Sequence, residues 1–167
     1  MIDPAAPAYG ERVMLNSNTN GLPDTAGLKR NADFSTEARF DLITPEDGGD
    51  AYGVRLTDQA PGNGESSVDV LLLRTQTGVH VQFRQLNLNT GVATVLGEQD
   101  LPAGTYDQIT FKLNYLASSD QGTALGGAVT ASYDLLVGGV VTATSSLTGL
   151  GTIFRGEDFT RVQLIGQ

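Results

Sequence analysis

Cysteine is absent from this 167-residue chain, and so is tryptophan. The first absence excludes a disulfide framework, a thiol nucleophile and any zinc site that depends on thiolates. The second removes the widest ring that a sugar-stacking surface could offer. A single histidine, His80, rules out a histidine-rich catalytic metal centre. Basic residues are scarce: 10 Lys+Arg against 19 Asp+Glu leave a net charge of −9. That balance opposes binding along a phosphate backbone, which needs a basic stripe. No apolar run approaches the roughly 18–20 residues of a membrane-spanning helix, and the opening residues do not read as a secretory leader.

What the chain has in quantity is alternation. Ala38, Phe40 and Leu42 fall on one side of an extended segment, with Arg39 and Asp41 on the other. Val79, Val81 and Phe83 oppose His80, Gln82 and Arg84 in the same way. Tyr52–Thr57, Ile109–Tyr115, Val129–Leu135 and the closing Phe159–Ile165 repeat the pattern. Period two with one polar side predicts half-buried antiparallel strands. Val68–Leu73 is almost continuously apolar and predicts a strand covered on both sides for part of its length. Short glycine-bearing connections (Thr77-Gly78, Asn89-Thr90-Gly91, Gly138-Gly139) predict hairpins. No segment shows helical periodicity, apart from room for one turn near Pro23–Lys29. The expected architecture is all-β, an antiparallel two-sheet sandwich of about ten strands. One domain is expected at this length, with residues 1–33 as a lead-in holding one short strand at Val13–Leu15, and 34–167 as the sandwich.

The polar rows suggest chemistry. Side chains spaced about 4.8 Å apart across neighbouring strands suit sugar hydroxyls, which ask for many modest hydrogen bonds. His80, Gln82, Arg84, Lys112 and Asn114 are the candidate ligand-binding residues. Calcium needs only oxygen ligands, and the Glu46–Asp50 loop combines carboxylates with glycine. Asp47, Asp50 and Asp158 are the candidate ligands of a structural calcium ion, although no EF-hand spacing is present.

Three segments, FSTEARFDLIT (Phe34–Thr44), YDQITFKLNYL (Tyr106–Leu116) and GAVTASYDLLVGGVV (Gly127–Val141), resemble the concanavalin A-like lectin/glucanase superfamily in its laminin-G-like bacterial branch. The resemblance implies a jelly roll, and a carbohydrate-binding or adhesive module of a large exported protein. It also implies a test for catalysis. The glucanases of this fold carry E-x-D-x-E on one strand, and no such run occurs here. Alginate-lyase-like members carry an arginine strand, a Gln-x-His strand and a tyrosine. Glu37-Ala38-Arg39, His80-Val81-Gln82 and Phe111–Tyr115 follow that order, but with histidine and glutamine exchanged and Tyr115 in phase with buried residues. The expectation is therefore a noncatalytic module, with a polysaccharide lyase as the alternative. Glycan and neighbouring domains are the expected partners, nucleic acid is not, and the expected location is extracellular or at the cell surface. Met1-Ile2-Asp3-Pro4 reads as an added start on an excised fragment.

Overall fold

The structure is a computed structural model that describes residues 33–46, 48, 50–58, 66–87, 90–117, 127–152 and 159–166, with the backbone of 12–15, 18–19 and 22–23. Twelve strands occur among these residues. They are β1 (Arg12–Leu15), β2 (Asn18–Thr19), β3 (Leu22–Pro23), β4 (Phe34–Asp41), β5 (Ala51–Asp58) and β6 (Ser66–Thr75). After them come β7 (Gly78–Asn87), β8 (Ala93–Asp100), β9 (Gln108–Leu116), β10 (Ala128–Val137), β11 (Val140–Thr152) and β12 (Phe159–Gly166). Among the described residues no helix is long and apolar enough to cross a membrane. The all-β, two-sheet sandwich is thus observed.

One sheet has six strands in the order β1-β12-β5-β6-β7-β8, and the other has four in the order β11-β10-β9-β4. A small ladder joins β2 and β3. Every pairing is antiparallel. β5 to β8 form a meander, as do β9 to β11, whereas β12 inserts between β1 and β5. Two hairpins turn through two residues. At Gly138-Gly139 both φ angles are positive, 57° and 80°, the backbone that a tight primed turn requires and that glycine adopts without strain. The other turns through Gln76-Thr77, one residue earlier than the sequence suggested, and Gly78 opens β7.

The core lies between the sheets. Val54, Leu56, Val68, Val70, Leu72, Val81 and Phe83 face Ile109, Phe111, Leu113, Val129, Tyr133 and Leu135, and all are essentially buried. Full burial of one such side chain stabilises by about 1.5–3 kcal/mol, so this layer can hold the sandwich without crosslinks. Tyr115 and Tyr133 extend the core, as alternation predicted, and keep their hydroxyls satisfied. The Tyr115 hydroxyl accepts from the Gly127 amide at 3.0 Å, and the Tyr133 hydroxyl donates to Gln99 Oε1 at 3.3 Å. Tyr52 is half-buried beside Phe40, with ring centroids 5.4 Å apart. Burial pushes its hydroxyl up to about 12, so it stays neutral across the ordinary pH range. Tyr106, just before β9, also packs against the core.

The sandwich is closed along one side where β8 meets β11. There the two backbones touch. A Cβ on Gly97 would lie 2.1 Å from the Thr148 carbonyl oxygen, and one on Gly149 would lie 2.4 Å from that of Leu96. Gly97→Ala must push these strands apart and is expected to cost about 1–3 kcal/mol in a urea melt. Gly48→Ala, where no atom lies within 4 Å of the new methyl, is the control and is expected to stay within about 0.5 kcal/mol of wild type.

Candidate binding face on the six-stranded sheet

Because side chains alternate, the residues between the core positions of β5 to β8 share the sheet's outer face. The register places them in rows. Arg55 lies opposite Asp69, and Asp69 opposite Arg84. The next row runs Gly53, Leu71, Gln82 and Glu98, and the one beyond it Ala51, Leu73, His80 and Asp100. Gly53 is required in its row: a Cβ there would lie 2.0 Å from the Val70 carbonyl oxygen.

Asp69 is the centre of the face. Its side chain is 0% exposed, and four donors converge on it. Arg55 donates in a fork, Nε to Oδ1 and Nη2 to Oδ2, both at 2.7 Å. The Ser67 hydroxyl donates to Oδ1 at 3.1 Å, and Arg84 Nε to Oδ2 at 3.2 Å. A buried carboxylate needs this kind of compensation, since the cost of leaving water is several kcal/mol per ion. One row away, Gln82 Nε2 donates to Glu98 Oε2 at 2.6 Å. In the last row His80 Nδ1 approaches Asp100 Oδ1 at 2.9 Å and Glu98 Oε1 at 4.0 Å. These contacts are close but not aligned as hydrogen bonds, and Nδ1 has no hydrogen-bond partner. Its Nε2 lies 3.0 Å from the Thr77 hydroxyl.

Lys112 and Asn114 lie elsewhere. They are on β9, out of phase with the buried Phe111, Leu113 and Tyr115, and so project from the outer face of the four-stranded sheet. Of the five candidate ligand-binding residues, His80, Gln82 and Arg84 therefore share one face, and Lys112 and Asn114 share the opposite one. On that second face Lys112 Nζ meets Asp134 Oδ2 at 2.6 Å, and the Thr144 hydroxyl donates to Asp134 Oδ1 at 2.7 Å. Burial pushes the Asp134 carboxyl up, but the hydrogen bonds from Lys112 and Thr144, with the charges of Lys112 and Arg39, outweigh it and hold the carboxyl below its ordinary 3.8. The hydrogen bond to Asp134 correspondingly raises Lys112 above 10.5.

The outer rows also depart from the solvated strand faces the sequence suggested. Arg55, Thr57, Asp69, His80 and Gln82 are buried, and mutual pairing across adjacent strands is what lets most of these polar groups tolerate burial. Asp69 was missed as a functional residue because VDVLLL reads as one apolar run. Its signal is the lone charge in that run, two residues after Ser67. Glu98 and Asp100 were likewise unmarked. Of the candidate calcium ligands, Asp47 and Asp158 lie outside the described residues. Asp50 is half-buried just before β5, with its carbonyl accepting from the Arg74 amide at 3.3 Å. Among the described residues no group of three histidine or acidic side chains is arranged to hold a metal ion.

Two predictions follow from the two faces. Asp69→Ala strands two guanidinium groups and is expected to destabilise by about 3–5 kcal/mol, whereas the double change Asp69→Leu with Arg55→Leu should recover a large part of that loss. A denaturant-melt double-mutant cycle measures both. On the other face, the folded Asp134 carboxyl sits below its unfolded value, so its contribution is complete above about 3.8 and is lost as pH falls through the folded value. The stability gap between wild type and Asp134→Asn is therefore expected to be open at neutral pH and to close in acid.

No protein-family model matches the chain, and no curated protein matches it. Among solved structures it is similar to a point mutant of the GH43 protein BlXynB from Bacillus licheniformis. That likeness is at 13% identity and a TM-score of 0.37, over 78% of this chain and 26% of that one. At that level it carries no argument about activity. None of these comparisons supports the concanavalin A-like resemblance, which rests on the strand pattern alone.

Proposed function

We propose that the chain is a noncatalytic β-sandwich module of a large exported bacterial protein, and that it binds glycan through the outer face of its six-stranded sheet. The observation that carries this reading is the fixed polar network on that face. Two groups of bonds make it up, Gln82 to Glu98 and both Arg55 and Arg84 to Asp69, spanning β5 to β8 at 2.6–3.2 Å. Groups held on strands in this way are ordered before a ligand arrives, which lowers the entropic cost of binding. The open part of the face is at β7 and β8, where Glu98 and Asp100 are 39% and 90% exposed.

The division of candidates between two faces supports the noncatalytic reading over the lyase alternative. A lyase site would need His80 and Lys112 within reach of one sugar ring, and the two project from opposite sides of the sandwich. One observation favours an adhesive or structural role instead of a lectin role. Among the described residues, the large exposed apolar side chains, Ile43, Val92, Val95, Leu116, Val137, Val140, Val141 and Leu150, are all aliphatic, and aliphatic groups do not form the flat platforms on which sugars stack.

A glycan array probed with the whole chain, once with calcium and once with EDTA, separates these readings. The expected result is binding that Gln82→Ala weakens at least tenfold and that Lys112→Ala leaves unchanged. Binding lost only in EDTA would assign calcium a part in it. Silence in both conditions would overturn the lectin reading in favour of the structural one, and unsaturated products released from an acidic polysaccharide would overturn both.

A further inference from the structure

The outer face of the six-stranded sheet holds two guanidinium groups around one carboxylate. Arg55 and Arg84 bring two positive charges and Asp69 one negative, which leaves this cluster of three side chains with an excess of one positive charge. Asp69 has little more to give, because each of its oxygens already accepts two donors. The arginines differ in access: the Arg84 side chain is 18% exposed and that of Arg55 is 3% exposed. Arg84 reaches Asp69 through Nε alone, and among the described residues no acceptor meets its two terminal nitrogens. Neighbouring acids are otherwise engaged. Glu98 holds Gln82 and lies near His80, and Asp100 sits against His80. Directly across the β7–β8 ladder from Arg84, past a bulge, stands Val95, which is 52% exposed and carries no charge.

We propose that the terminal N–H groups of Arg84, backed by the charge of Arg55, bind one carboxylate group of the ligand. The two terminal nitrogens of a guanidinium form a planar fork that matches the two oxygens of a carboxylate. Asp69 holds the Nε end of that fork in place. An excess of one charge matches a carboxylate better than a doubly charged phosphate. The inference builds on the reading of this face as the binding surface, and it narrows the ligand to an acidic glycan over a neutral one.

The test is a titration of the whole chain with sodium acetate against sodium chloride at equal ionic strength, followed through the arginine Nε–H resonances by NMR. Acetate is expected to move one of these resonances saturably, and Arg84→Gln is expected to abolish that resonance and the response together. Val95→Glu supplies a second variant that does not depend on removing a buried partner. It places an internal carboxylate opposite Arg84, and is expected to raise the melting midpoint and suppress the acetate response. Equal, unsaturable shifts in both salts would overturn the site, as would an acetate response that survives Arg84→Gln or is untouched by Val95→Glu. Binding of neutral glycans with no acetate response would overturn the carboxylate site and leave the glycan-binding reading standing. An acetate response with no glycan bound would do the reverse.

Discussion

A carboxylate at zero exposure needs donors on both oxygens, and Asp69 on β6 cannot find them on its own strand beyond Ser67. It finds them on the strands to either side. That requirement ties β5, β6 and β7 into one register, because only the observed pairing sets Arg55 and Arg84 level with Asp69. A slip of one residue would send Asp69 into the apolar layer and turn Val68 and Val70 outward. The core favours this register for its own reasons, since Val54, Val70 and Phe83 are opposite one another in it. Apolar packing supplies most of the stability, and the charge cluster penalises the alternatives. Apolar burial alone discriminates poorly between neighbouring registers of one phase.

The two outer faces handle charge differently. On the four-stranded sheet the Lys112–Asp134 contact is reached by solvent, with the lysine side chain 32% exposed. Its worth is therefore reduced by screening and by the entropy of holding a long side chain still. On the six-stranded sheet the Arg55–Asp69 pair is enclosed, and solvent meets mainly the third member of the cluster, Arg84. The first arrangement is what any antiparallel sheet presents to water. The second concentrates donors at fixed positions, which is what supports the proposed binding role there.

The alternation of β4, β5, β7, β9 and β10 made the fold legible, because the period of a half-buried strand is local information. The grouping of the candidate site was not legible in the same way. His80 and Lys112 sit on strands of identical polar-apolar pattern, and only long-range pairing decides that β7 joins β6 and β8 while β9 joins β4 and β10. Nothing in a single strand encodes its sheet. Asp69 was hidden for a different reason: hydropathy averages over a window, and five apolar neighbours outweigh one acid. Gly97 and Gly149 were hidden because a glycine that permits two strands to touch looks like any other until the opposing backbone is known.

The overall charge of −9 does not decide what approaches Arg84. At physiological ionic strength the field of a charge is largely screened beyond about 8 Å, so acids on distant loops contribute little at the fork. What counts is the local sum, and there the bulge between Phe83 and Arg84 matters. It steps β8 along by one residue beyond the hairpin register, which brings Glu98 and Asp100 level with Gln82 and His80, while uncharged Val95 stands opposite Arg84. The irregularity thus brings acids beside Gln82 and His80 at one end of β7, and the residue facing the cation at the other end carries no charge.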